Sequence, residues 1–169
     1  MAQPSAAPAA VGPGRRRAAG VYGAIVTAAI IAAAGGHLRT IALAAAIVVT
    51  LVVYWVAEEY AELLGARSEQ ARPLTGRHVR AELAATWPMV SASYGPVVAL
   101  LAARLFGAPD SVAADVGLAA AILLLVGHAW SAGRAAGLRG RRLITTTCVA
   151  AAFGLVMVVL KHVVLVYLH

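Results

Sequence analysis

The stretch 40–64, TIALAAAIVVTLVVYWVAEEYAELL, decides the fold. From Thr40 to Ala57 it carries no charge and no helix breaker, so it reaches the ~18 apolar residues that a bilayer-crossing helix needs. It then turns abruptly polar, with Tyr54, Trp55, Glu58, Glu59, Tyr60 and Glu62 crowded at its end. The helical pattern continues to Leu64, and Gly65 is the expected stop.

Outward from this segment the same texture recurs. Apolar runs occupy about 20–36, 88–107, 111–133 and 143–168, and polar residues collect in 65–87. Of the 169 residues 62% are hydrophobic and 12% charged, against roughly a quarter charged in a soluble domain. A transmembrane barrel would need short alternating segments, which are absent. The expectation is an all-α integral membrane bundle of about five transmembrane helices in a single domain, 20–169, behind a flexible basic tail, 1–19. Within the loop, Arg77 to Ala85 reads as a short surface helix. Pro88 suits the first turn of the third span, and Asp110 or Ser111 the N-cap of the fourth.

Charge orients the bundle, because Lys and Arg are retained on the cytoplasmic side of membrane helices. Arg15, Arg16 and Arg17 precede span one. Arg67, Arg72, Arg77 and Arg80 separate spans two and three; Arg134, Arg139, Arg141 and Arg142 separate four and five. The opposite connections hold Arg39 and Arg104 with Asp110 and Asp115. Five helices threaded in order put all three basic clusters inside, with the N-terminus inside and the C-terminus outside, in a cell membrane. Basic residues, a ~15-residue apolar stretch and Ala32, Ala33 and Ala34 also fit a signal peptide, whose removal would leave four helices. The long tail ahead of the arginines favours a retained span.

The net charge of +7 does not indicate nucleic acid, since the arginines lie between apolar runs rather than on one polar face. Cys148 is the single cysteine, which excludes an intramolecular disulfide; it is expected to be a small buried residue. No nucleophile elbow, HExxH, Walker loop or paired CxxC occurs, so no enzyme chemistry is expected.

Polar residues within the spans are the functional candidates. Tyr54, Glu58 and Glu62 share a helix face, with Glu59 about a quarter turn away. Clustered carboxylates suit a hard cation or a proton; the plainer alternative has the helix leaving the bilayer near Glu58, with Tyr54 and Trp55 in the interfacial belt. His128 lies at a depth similar to Glu58, so a contact relaying a proton or ligating a metal is one expectation. A neutral histidine bonded to a carbonyl or serine in a packed bundle is the other. Near the outer end, Lys161 either snorkels to the interface or pairs with Asp115 or Asp110, acids that Arg104 also serves. Ser91, Ser93, Tyr94, Gly95 and Pro96 give span three either a transporter-like break or ordinary packing.

The five-helix plan and three local strings resemble the vacuolar iron transporter (VIT/CCC1-like) family. The strings are Tyr22-Gly23-Ala24-Ile25-Val26-Thr27, then Ala57-Glu58-Glu59-Tyr60 with Arg67-Ser68, then Gly127 with Gly133-Arg134. The resemblance implies exchange of divalent iron or manganese for protons by a homodimer. Tyr22 stands where that family has a metal-binding Asp, and no Met accompanies the span-two Glu. The loop 65–87 is too short for the cytoplasmic metal-binding domain of many members. Glu59 alone carries over cleanly as a metal or proton residue. Small residues on every span permit close packing within one subunit or between two. The functional expectation is a divalent-cation/proton transporter, with a non-catalytic membrane scaffold or accessory subunit as the alternative.

Overall fold

The computed structural model describes residues 13–69, 83–84 and 86–167. The tail before residue 13 and most of the loop, including Arg72, Arg77 and Arg80, lie outside the described residues, as do the side chains of Arg15, Arg16, Glu62 and Arg67.

The chain forms α1 (Pro13–Ala34), α2 (Thr40–Glu69), α3 (Pro88–Ser91), α4 (Tyr94–Leu105), α5 (Asp110–Ala135) and α6 (Arg141–Tyr167). Among the described residues five segments are long and apolar enough to cross a membrane, with α3 and α4 together making the third. Among the described residues there is no strand.

Several boundaries differ from the sequence expectation for physical reasons. α1 is described from Pro13, so Arg15, Arg16 and Arg17, assigned to the tail, are helical. α2 runs through Gly65 to Glu69. A mid-helix glycine costs about 1 kcal/mol, which good helix formers on either side offset. The third span tightens between α3 and α4, where the Ser93 N–H donates to the Val90 carbonyl at 3.1 Å. Pro96 has no N–H for the Ala92 carbonyl four residues earlier. Ser93 keeps helical dihedrals (φ −79°, ψ −17°), so the span continues without a bend into a loop.

Tight turns join the last three spans. At Gly107 (φ +88°) and Gly137 (φ +75°) the chain closes two matching motifs. Gly107 and Ala108 donate to the Arg104 and Ala103 carbonyls, and Gly137 and Leu138 to those of Arg134 and Gly133. This left-handed glycine cap satisfies the last carbonyls of each helix.

α1 is the hub. It packs against α2, α3, α5 and α6, while α4 and α5 form the most extensive antiparallel pair. Ile31, Leu43, Ile47, Leu51, Met89, Leu100 and Leu125 are fully buried in the core. Contact between α1 and α3 is close enough that a Cβ on Gly23 would sit 2.0 Å from the Met89 carbonyl oxygen. α6 is peripheral and buries only a narrow stripe. Cys148 is therefore exposed on its outer side, contrary to the buried position expected for it. The outward surfaces are apolar, with Ile41, Leu105 and Phe106 among the most exposed.

Candidate functional site

One end of the bundle gathers the start of α1, the end of α2, the residues leading into α3, and the α5–α6 turn. Here α2 presents two faces, each marked by an aromatic residue and a carboxylate four residues apart, the spacing that stacks side chains on a helix.

The Trp55–Glu59 face turns inward. Glu59 is 4% exposed and Thr86 fully buried. The Thr86 hydroxyl donates to the Glu59 carboxylate and accepts from Trp55 Nε1 at 3.1 Å. The Trp55 and Trp87 rings meet edge to face, 5.2 Å between centroids, a favoured aromatic geometry. Among the described residues Glu59 has no ion-pair partner. Sequence reasoning singled out Glu59 but not Thr86, because nothing in residues 27 positions apart signals that they meet.

The Tyr54–Glu58 face turns toward α1. Tyr22 and Tyr54 pack at 6.1 Å between ring centroids. With Ala57 and Glu58 they line a groove of about 400 Å³ between the two helices. Tyr22 occupies the place where the resemblance would call for a metal-binding Asp. The site therefore offers a carboxylate and phenol hydroxyls here, and a second carboxylate bonded to a hydroxyl one face away.

His128 lies on α5, against α1. Its Nδ1 donates to the Leu124 carbonyl one turn back on α5, at 2.8 Å, and the ring lies over Gly20 of α1, where an added Cβ would meet it at 3.2 Å. This is the packed, carbonyl-bonded histidine. Among the described residues no group of three or more His, Cys, Asp and Glu side chains could hold a metal ion. The serines of span three are spent locally: Ser93 Oγ donates to the Val90 carbonyl at 2.8 Å and Ser91 Oγ to that of Pro88 at 3.3 Å.

Charged contacts also tie the opposite end. Asp110 does not cap its own helix, α5. Its Oδ1 instead accepts from the Thr40 N–H at 3.1 Å and the Thr40 hydroxyl at 2.5 Å, capping α2, and Arg104 Nε lies 3.3 Å away. One carboxylate thus sits at the positive poles of two helices. Lys161 on α6 is 5% exposed and contacts Asp115 on α5, so its ammonium is drawn into the bundle rather than out along the surface.

No protein-family model matches this chain, and no significant match is found among curated proteins or solved structures.

Proposed function

We propose that the chain crosses a cell membrane five times, N-terminus in the cytoplasm and C-terminus outside, and couples movement of a cation to protons through Glu59 and Glu58 at the cytoplasmic end of span two. The observation that carries this reading is the Glu59 carboxylate, buried within the helices beside one hydroxyl and, among the described residues, no cationic partner. An ionisable group inside a membrane bundle marks an ion or proton pathway by default. Burying an unpaired carboxylate is costly, and a bound proton or cation removes that cost. The proton limb rests on Glu59. The divalent-metal limb, iron or manganese as cargo, rests on the VIT-like strings and on the Glu58 carboxylate that lines the groove beside Tyr22 and Tyr54.

Manganese(II) and iron(II) uptake into proteoliposomes across a pH gradient tests this. Uptake is expected in the wild type and is lost in Glu59→Gln and Glu58→Gln variants that unfold at the wild-type temperature. No uptake of either ion by well-folded protein overturns the reading.

A membrane scaffold or accessory subunit is the second reading. It is favoured by the economy of the polar contacts: Glu59 with Thr86, Asp110 with Thr40 and Arg104, and Lys161 with Asp115 each join different helices. If binding energy between helices is their whole purpose, Glu59→Gln, which keeps the shape and an acceptor, leaves every cellular phenotype intact.

A further inference from the structure

A second concavity lies on the other side of Tyr22, between α1 and the end of α5. It has a volume of about 540 Å³. Its α1 wall is formed by Gly14, Arg17, Val21 and Ile25, among others, positions that recur at helical spacing and so form one continuous stripe. Facing them on α5 are Ala132 and Ala135, whose methyl groups are too short to fill the space. A Cβ built on Gly14 meets nothing within 4 Å. The crevice is apolar along its floor and, among the described residues, carries one cation, the exposed Arg17, near the N-terminal end of α1.

We infer that this crevice binds one anionic phospholipid, with the phosphate on Arg17 and an acyl chain laid against Val21 and Ile25. Its dimensions and its polarity both fit. From Arg17 to Ile25 the stripe rises about 12 Å at about 1.5 Å per residue, within the ~15 Å that one leaflet contributes to the hydrocarbon core. The cation stands at the end where a headgroup lies, and the apolar wall below it where a chain lies. The exposed Arg134 in the last turn of α5 adds to the attraction for an anion at that end. Basic pockets between membrane helices favour anionic headgroups on these grounds. The apolar floor distinguishes the occupant from free phosphate, which would leave the floor uncovered. This inference rests on the membrane-spanning reading but not on transport, because binding is read without any gradient.

Native mass spectrometry of the purified full chain tests it, with phosphatidylglycerol and phosphatidylcholine offered at equal concentration. Retention of phosphatidylglycerol over phosphatidylcholine is expected, falling about fivefold in Arg17→Gln and persisting in Arg17→Lys. Ala132→Phe, which fills the crevice, is expected to reduce retention of both lipids; should it unfold early, Ala135→Leu serves instead. Glycerol 3-phosphate at the same concentration is expected not to displace the lipid. Equal retention of the two lipids, unchanged selectivity in Arg17→Gln, or displacement by glycerol 3-phosphate overturns the proposal.

Discussion

The hydroxyl of Thr86 donates to the carboxylate of Glu59, and this contact fastens the last turns of α2 to the start of the third span. Because Thr86 also accepts from Trp55, the hydroxyl is a relay with both of its roles in use. Replacing it by valine keeps the shape and leaves a buried carboxylate and an indole N–H without their partner. Thr86→Val is expected to lower stability by about 1–3 kcal/mol, and Thr86→Ser to lower it by less. Thermal unfolding in detergent, followed by tryptophan emission, checks this, and a valine variant as stable as the serine one would mean the hydroxyl is idle.

Gly23 is expected to be the least tolerant glycine in the bundle. An added Cβ would meet the Met89 carbonyl oxygen, which is backbone and cannot swing aside. Gly23→Ala should therefore separate α1 from α3 and cost about 1–3 kcal/mol. Gly127→Ala, whose Cβ would meet nothing within 4 Å, should gain up to about 1 kcal/mol from helix propensity. The two unfolding midpoints, measured side by side, should move in opposite directions.

The ion pair between α5 and α6 is asymmetric, and so should be its mutants. The Lys161 side chain is 7% exposed and that of Asp115 63%. Asp115→Asn strands a buried ammonium, whereas Lys161→Met removes the buried charge and leaves an exposed acid. Asp115→Asn is expected to be the more damaging by roughly 1–3 kcal/mol, less than a fully buried pair would give because one partner is open. The double variant should recover most of the loss. Equal damage from the two single changes would indicate that the contact does not hold Lys161 in place.

These contacts separate what the residues announce from what only packing decides. Five long apolar runs are visible because a lipid-crossing helix has to be continuous, and the structure has five segments of that kind. Periodicity also places Glu58 and Glu59 on different faces of one helix. It says nothing of which helix each face meets. Asp110 reads as a cap for the helix it begins, yet its carboxylate turns to Thr40, 70 residues away. Counting residues puts Glu58 and His128 at a similar depth, but it does not say that the histidine ring lies over Gly20 of α1 with its Nδ1 on the Leu124 carbonyl. Local rules misjudged Gly65 for a related reason: glycine ends a helix only where the chain also turns left-handed, as at Gly107 and Gly137.

Asp110 joins three segments, so its replacement should be felt at more than one of them. Asp110→Ala removes the acceptor for both Thr40 groups and the partner of Arg104. Asp110→Asn retains an acceptor for Thr40 and loses only the charge. The expected order of thermal midpoints is wild type, then asparagine, then alanine. Arg104→Gln should fall close to wild type, since that pair is half exposed and exposed pairs contribute little. Added salt should narrow the gap between wild type and asparagine while leaving the alanine variant low.

Threading is the remaining premise of the transport reading, and the two glycine turns offer places to check it. Phe106 is 87% exposed beside the α4–α5 turn, and Arg139 is exposed in the α5–α6 turn. If arginine clusters are held in the cytoplasm, these turns face opposite sides of the membrane. Cys148 is exposed, so labelling needs a Cys148→Ala background. In intact cells, Phe106→Cys should then react with a membrane-impermeant maleimide, and Arg139→Cys should react only after the membrane is opened. The reverse pattern would invert the bundle and put Glu59 at the outer surface, where a cytoplasmic cation could not reach it first. Reaction at both positions in intact cells would mean that α5 does not cross the membrane.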